Sequence, residues 1–173
     1  MQENAKTKII VISTGGTIEK TYDEHDGTLE NRGPVIKQSI IERMRLPYTS
    51  LEVHSLFSKD SLHMTDADRE MLCQSIKSFV PLNCPIVVLH GTDTMALSAQ
   101  YCFERIKNLS APVVFTGAMK PLGFDDSDAT QNVTEALLAC KLLTVGIYIS
   151  FHNRIFQVPK VRKNPSLRTF ESF

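Results

Sequence analysis

Residues 9–18 read Ile-Ile-Val-Ile-Ser-Thr-Gly-Gly-Thr-Ile. The first four are apolar and β-branched, which is typical of a strand buried on both faces of a sheet. This strand leads directly into Thr14-Gly15-Gly16-Thr17, where two consecutive glycines allow a sharp turn and close approach of another molecule to the main chain. Because ligands of open α/β sheets bind beyond the carboxyl ends of the strands, the loop is a candidate binding site.

Strands and helices alternate along the rest of the chain. Together with residues 7–13, apolar runs predict strands over residues 51–57, 86–89, 113–115 and 145–151. Helical spacing of apolar residues, with Thr65 as an N-cap, predicts helices over residues 34–46, 66–80, 95–107 and 129–143. This alternation predicts an α/β fold of three layers, α/β/α, with a mostly parallel, flavodoxin-like sheet.

Two segments do not follow this alternation. Residues 19–33 are rich in Asp, Glu and Gly and are predicted to form a long surface loop. Residues 153–173 are basic and weakly patterned, and Val158-Pro159 argues against a central strand there.

Length and charge limit the class of protein. The 173 residues suit one domain, predicted over residues 1–173, and 42% hydrophobic with 22% charged residues is typical of a globular protein. Lys plus Arg equals Asp plus Glu at 19 each. This balance argues against a nucleic-acid or membrane partner, since both need a basic excess. The basic cluster of Lys160, Arg162, Lys163 and Arg168 is interpreted as a solvated face.

The N-terminus and the cysteines carry no targeting or metal-binding pattern. Residues 1–8 are polar, and the following apolar run is too short for a signal peptide or a membrane span, so we expect a cytoplasmic protein. Cys73, Cys84, Cys102 and Cys140 lack zinc-site spacing, which predicts free thiols, no disulfide and no metal.

The predicted strand ends bring four loops to one edge of the sheet. All are rich in glycine or hydroxyl side chains, and they comprise residues 14–17, 58–61, 91–94 and 117–119. Four such loops on one edge indicate a ligand site more strongly than any one of them does. A nucleotide site is a weaker interpretation, because residues 13–17 match neither the Rossmann nor the P-loop glycine pattern.

The loop His90-Gly91-Thr92-Asp93-Thr94 has two interpretations. Thr92 or Thr94 could cap the following helix, with Asp93 at its positive end. Alternatively the hydroxyls are reactive, and a threonine nucleophile needs a neighbouring base. The candidate bases are the five histidines and three late lysines: His25, His54, His63, His90, His152, Lys120, Lys160 and Lys163.

Three motifs together resemble the bacterial-type L-asparaginase/glutaminase family. They are Thr14-Gly15-Gly16-Thr17-Ile18, His90-Gly91-Thr92-Asp93-Thr94 and Thr116-Gly117-Ala118-Met119. The resemblance spans nearly the whole chain but only the N-terminal, catalytic domain of that family. It implies hydrolysis of a small-molecule side-chain carboxamide, such as that of asparagine, through a threonine acyl-enzyme and without a cofactor. A non-catalytic amide-binding or sensing module with the same pocket is the alternative.

The resemblance also implies roles for individual residues. Thr17 would be the nucleophile and Tyr22 a lid residue, while Thr92, Asp93 and Lys163 would form the second catalytic group. Lys160 is an alternative to Lys163, because the match in the tail is looser. The implied substrate-binding residues are Gly16, Ser58, Lys59, Asp60 and Ala118.

The sequence departs from the pattern of long asparaginases at Lys59, and the resemblance does not extend to their second domain. Lys59 stands where a glutamine is common, and unless Asp60 neutralises it, its charge would disfavour a substrate with a free α-ammonium. The substrate would then be an N-acylated or peptide-like amide. Because the resemblance covers one domain of two, we also expect self-association into a homodimer or homotetramer that covers apolar surface.

Overall fold

The computed structural model describes residues 6–23, 25, 28–31 and 40–173. Within them the principal sheet has six strands: β1 (Thr7–Gly15), β4 (Thr49–Lys59), β5 (Ile86–Leu89), β6 (Val113–Thr116), β7 (Ile147–Phe151) and β8 (Arg154–Gln157). Their order across the sheet is β4-β1-β5-β6-β7-β8. All neighbouring pairs are parallel except β7 with β8, which is antiparallel.

Helices cover both faces of this sheet, so the predicted three-layer α/β/α fold is confirmed. The helices are α1 (Asp66–Phe79), α2 (Met95–Arg105) and α3 (Ala129–Leu142). Alternate residues of β1 face opposite layers: Ile10 and Ile12 pack on the side of α1 and α2, whereas Ile9 and Val11 pack on the side of α3. A strand that is apolar on both faces requires this arrangement.

The predicted start of α1 is confirmed in detail. The Thr65 hydroxyl accepts a hydrogen bond from the backbone N–H of Asp68, and the Asp68 carboxylate accepts one from the backbone N–H of Thr65. This reciprocal pair satisfies two amide donors that the first turn of the helix leaves free.

Residues 19–33 were wrongly predicted as a continuous loop. The described part forms an antiparallel hairpin of β2 (Lys20–Asp23) and β3 (Thr28–Asn31), in which Tyr22 pairs with Leu29. The predicted helix over residues 34–46 lies partly outside the described residues, and its described part contains one 3-10 turn, Ile41–Arg43. Each strand of the hairpin has four residues, of which only one is apolar or aromatic, so no alternating pattern could reveal it.

The tail is more ordered than its weak pattern predicts. His152 and Asn153 form a two-residue turn between β7 and β8, and both have positive φ, at 47° and 60°. Two positive φ angles suit the right-handed twist of a tight hairpin. A second hairpin follows, formed by β9 (Val161–Asn164) and β10 (Thr169–Ser172).

All four cysteines are free, and three of them, Cys73, Cys102 and Cys140, are buried. Across the described residues, the helices are too short or too polar to cross a membrane. The same residues contain no group of three or more His, Cys, Asp or Glu placed to hold a metal ion.

Close backbone contacts hold the carboxyl ends of the strands together. A Cβ added to Gly15 would lie 2.5 Å from the Lys59 nitrogen, and one added to Gly16 would lie 2.5 Å from the nitrogen and Cα of Gly91. Both glycines also have positive φ, at 91° and 87°. Only glycine meets both demands, so the Gly15-Gly16 pair sets how closely β1 approaches its two neighbours.

We expect Gly16→Ala to destabilise the fold strongly. Its backbone conformation alone costs a non-glycine residue about 1–3 kcal/mol, and the clash with Gly91 adds to this. Gly123→Ala is the matched control, because a Cβ there meets no atom within 4 Å. Urea unfolding should show a large loss for Gly16→Ala and a change within about 0.5 kcal/mol for Gly123→Ala. Equal stabilities would show that the loops separate at no cost.

Candidate active site

Thr17 lies at the point where the strand order reverses. From β1 the chain adds β4 on one side and β5 on the other, and such a reversal opens a crevice between the loops that follow β1 and β5. Thr17 begins a 3-10 turn, Thr17–Glu19, directly after Gly16. Because Gly16 touches Gly91, the next residues, Thr17 and Thr92, lie on adjoining loops. The half-buried Thr17 hydroxyl forms no hydrogen bond with any residue in the described part of the chain.

Lys163 joins the second threonine loop from a distant part of the chain. Its Nζ donates to the Thr92 hydroxyl at 2.8 Å and to a carboxylate oxygen of Asp93 at 2.7 Å. Thr92 is buried, whereas the Asp93 side chain is 40% exposed. Lys160 is exposed and makes no such contact among the described residues. The structure thus brings Lys163, and not Lys160, to Thr92.

The helix-capping interpretation of the 90–94 loop is wrong. Thr94 precedes α2 without a side-chain cap, and its hydroxyl instead donates to the backbone oxygen of Ser61 at 2.8 Å. Thr92 and Asp93 are engaged by Lys163. The polar side chains of this loop therefore join loops to one another instead of closing the helix end.

His90 is unsuited to act as a base. The side chain is fully buried, and burial lowers the pKa of its imidazole to about 4. Its Nδ1 lies 2.7 Å from the Gly91 oxygen, which only an N–H can satisfy, so the ring is neutral with its proton on Nδ1. The His90 imidazole thus has a structural role, which is to hydrogen-bond the backbone of the 90–94 loop.

Lys59 and Asp60 do not pair with each other. Lys59 Nζ pairs with Asp68 at 2.6 Å, and Asp60 pairs with Lys20 at 2.6 Å, so Asp60 does not neutralise Lys59. The hydrogen bond from Lys59 holds the pKa of the Asp68 carboxyl at about 2. Because Asp68 already balances the Lys59 charge, that charge gives little reason to exclude a free amino acid.

Ser61 is a candidate site residue that the sequence analysis missed. Its hydroxyl is buried, has no hydrogen-bond partner among the described residues, and lies against Gly91, where an added Cβ would sit 2.6 Å from Oγ. Ser58, the predicted serine, is exposed on β4. The strand was predicted to end at Phe57, yet β4 continues to Lys59, so the loop and its inward-facing hydroxyl come later.

Ala118 lies on the loop after β6, which adjoins the loop after β5, since a Cβ added to Gly117 would collide with the His90 oxygen. Ala118 is buried, and its backbone oxygen accepts no hydrogen bond within the described part of the chain. The Asp128 carboxylate holds this loop by accepting the backbone N–H groups of Met119 and Lys120, each at 3.0 Å. A free buried carbonyl is an acceptor available to a ligand.

Tyr22 lies on the β2–β3 hairpin, which follows the Thr17 turn in the chain, and is 62% exposed. It lines a cleft of about 380 Å³ together with Lys20, Leu29 and Phe124. A second cleft of about 550 Å³ shares Lys20 and Phe124 with the first. Neither cleft is lined by Thr17, Thr92 or Ser61, so among the candidate site residues only Tyr22 borders this space.

Glu19 is a buried acid at the end of the Thr17 turn. One of its carboxylate oxygens accepts from Ser13 Oγ at 2.5 Å, while the other finds no partner among the described residues. Burial raises the pKa of the Glu19 carboxyl, and the Ser13 hydrogen bond offsets this in part. Glu19, at the end of the turn that begins with Thr17, therefore binds its proton more tightly in the folded chain than in the unfolded chain.

The chain belongs to the family described as Asparaginase, N-terminal, which matches residues 8–173. It is 30% identical to an L-asparaginase of Thermococcus kodakarensis over 160 residues, 92% of this chain and 48% of that protein. The solved structure of the thermostable L-asparaginase from that organism superposes with a TM-score of 0.86 at 29% identity, over 96% of this chain and 51% of that one.

Other relatives carry different names. A 60 kDa lysophospholipase of Homo sapiens is 36% identical over 130 residues, 75% of this chain and 22% of that protein. One component of the glutamyl-tRNA(Gln) amidotransferase of Saccharolobus solfataricus is 30% identical over 158 residues, 88% of this chain and 35% of that protein. The chain spans about half the length of these relatives or less.

We expect Lys163→Met to abolish most activity and to leave stability nearly unchanged. The substitution removes the amine bound to Thr92 but keeps an unbranched apolar stem, and loss of a proton-transfer group typically costs about 10²–10⁴-fold in rate. Lys160→Met is the matched control and should retain full activity. Steady-state ammonia release from both variants decides the point, and the reverse pattern would assign the role to Lys160.

We expect Glu19→Gln to change how stability depends on pH. Since the folded chain holds the Glu19 proton more tightly than the unfolded chain, the free energy of unfolding falls as pH rises above the ordinary glutamate value of about 4.5. Glu19→Gln lacks this loss, so it should match the wild type near pH 4 and exceed its stability at neutral pH. Urea unfolding at both pH values tests this, with exposed Glu42→Gln as control. A constant difference would mean that Glu19 does not titrate on unfolding.

Proposed function

We propose that the protein is an amidohydrolase that converts a side-chain carboxamide into a carboxylate and ammonia through a threonine acyl-enzyme. One observation carries this proposal: Lys163 Nζ contacts both the Thr92 hydroxyl and the Asp93 carboxylate. The contact between Gly16 and Gly91 joins the loops that carry Thr17 and Thr92, which supports a shared site. A nucleophile next to a lysine-linked hydroxyl is what two-step acyl transfer requires.

In the first step the Thr17 oxygen attacks the carboxamide carbon. The C–N bond then breaks, and the hydroxyl proton passes to the departing nitrogen, which leaves as ammonia. The unpartnered oxygen of Ala118 is proposed to accept an N–H of the amide and so to orient the leaving group. Tyr22, on the neighbouring hairpin, would close over the bound substrate and limit the access of water to this step.

In the second step a water molecule attacks the ester carbon of the acyl-enzyme. Thr92 orients the water, and Lys163, when its amine is neutral, takes up the proton through the Thr92 hydroxyl. Asp93 fixes the position of Lys163 Nζ. The ester C–O bond breaks, the Thr17 oxygen regains a proton, and the product leaves as a carboxylate.

The substrate is proposed to carry its own anchoring charges. The buried Ser61 hydroxyl, with no partner among the described residues, can donate to a substrate carboxylate, and the exposed Asp93 carboxylate can accept a substrate ammonium. Free asparagine presents both groups. The relatives carry different names, so the test panel includes both free and acylated amides.

The experiment compares wild type, Thr17→Ala and Thr17→Ser. Ammonia release is measured with asparagine, glutamine, N-acetylasparagine and a peptide amide. We expect Thr17→Ala to lose at least about 10³-fold in kcat and Thr17→Ser, which keeps a hydroxyl, to retain measurable activity. Circular dichroism and urea unfolding should show that both variants fold, because a loop hydroxyl without partners contributes little to packing.

Two results would contradict the proposal. Undiminished turnover by folded Thr17→Ala would exclude this hydroxyl as the nucleophile. Tight binding of an amide by calorimetry, without ammonia release from any member of the panel, would instead identify a binding or sensing module.

A further inference from the structure

The imidazole of His152 connects two parts of the site that are distant in sequence. Its Nε2 lies 2.9 Å from an Asp128 carboxylate oxygen, and its Nδ1 lies 3.0 Å from the Thr169 hydroxyl. The ring is 32% exposed and the Asp128 side chain only 16%. A ring held at both nitrogens by elements from different parts of the chain has little freedom to move.

The chemistry of the partners fixes the direction of both hydrogen bonds in the neutral ring. An ionised Asp128 can only accept, so Nε2 carries the proton and donates to it. Nδ1 then accepts from the Thr169 hydroxyl, which acts as donor. If the ring gains a second proton, the Thr169 hydroxyl can rotate and accept instead, so the connection survives either protonation state.

The backbone conformation at His152 indicates that histidine is present for its ring contacts and not for the geometry of the turn. His152 has φ of 47°, a conformation that glycine or asparagine adopts at lower cost in a two-residue turn. The turn has backbone anchors of its own: Asn132 accepts the N–H of His152 at 3.1 Å, and Glu135 accepts the N–H of Asn153 at 2.7 Å. Glycine at position 152 could therefore keep the turn and lose only the ring contacts.

At one end of this connection, Asp128 holds the loop that carries Ala118. It accepts the backbone N–H groups of Met119 and Lys120, the two residues after Ala118. Asn132 donates to the Gly117 oxygen and to Asp128, both at 2.9 Å, and so holds the residue before Ala118. The position of the Ala118 carbonyl therefore depends on where Asp128 lies.

At the other end, Thr169 lies on β10, opposite the strand that carries Lys163. Thr169 pairs with Asn164, and Phe170 pairs with Lys163 itself. Phe170 also packs edge-on against Phe151, with ring centroids 5.0 Å apart, so this hairpin has an apolar anchor as well. Loss of the His152 contact should loosen the hairpin without detaching it.

We propose that His152 is a positioning residue that fixes the distance between the Ala118 carbonyl and Lys163 by holding Asp128 and Thr169 together. This inference rests on the proposed function for its catalytic consequence, but the mechanical connection can be tested separately. Ala118 orients the leaving nitrogen, and Lys163 handles the proton of the second step. Misplacement of either affects the chemical steps, whereas the anchor Ser61, which belongs to neither segment, remains in place for binding.

The kinetic test uses asparagine, or the best member of the amide panel, with five variants. His152→Gly and Thr169→Val should each lower kcat about 10-fold or more with KM nearly unchanged, since small displacements of reacting groups are costly. Thr169→Ser keeps the hydroxyl and should restore most of kcat. The double variant His152→Gly with Thr169→Val should lose no more than either alone. Thr134→Val, an exposed hydroxyl substitution on α3, is the matched control and should behave as wild type.

The structural test measures amide hydrogen exchange and needs no turnover. In His152→Gly, exchange should speed up both at Met119 and Lys120 and along β10, although the two segments are far apart in sequence. Thr169→Val should raise exchange at Met119 and Lys120 without touching Asp128. If His152→Gly fails to fold, Thr169→Val alone decides the question.

Two outcomes would overturn the inference. A KM increase at constant kcat would place His152 in substrate binding. Exchange that rises at only one of the two segments would show that the ring does not connect them. An enzyme inactive towards every amide would count against the proposed function, and the exchange measurement would still decide the role of His152.

Discussion

The contact between Gly16 and Gly91 is the constraint on which the rest of the site depends. The two backbones approach so closely there that no side chain fits between them. The loops after β1 and β5 are therefore in direct contact at the point where the strand order reverses. Thr17 and Thr92 follow these glycines directly, so their proximity is fixed by main-chain packing. No flexible side chain is therefore needed to bring the two hydroxyls together.

Much of this arrangement could be predicted from the sequence because it is local or periodic. The β-branched run before Thr14 identified the first strand, and Thr65 identified the start of a helix. Lys163 was selected through a family resemblance, and its contacts with Thr92 and Asp93 support that selection over Lys160. The site roles themselves remain predictions that the variants above can test.

One source of error is that strand ends carry no sharp signal of their own. Extending β4 by two residues moved the inward-facing hydroxyl from Ser58 to Ser61. The β2–β3 hairpin was not predicted because its strands are short and mostly polar. The ion pairs of Lys59 with Asp68 and of Lys20 with Asp60 join separate elements, and no spacing rule within one element could reveal them.

The candidate site can be assembled only after the last part of the chain has been made. Lys163 lies 71 residues beyond Thr92, on a hairpin that follows every strand of the principal sheet. Because this hairpin lies C-terminal to the whole sheet, it is synthesised after the sheet strands and can dock only once they have been made. A chain still emerging from the ribosome, or one whose last hairpin has frayed, would have the sheet and the Thr17 loop but no amine. Under the proposed mechanism such a molecule could form the acyl-enzyme but not hydrolyse it, so turnover would depend on the final hairpin being docked.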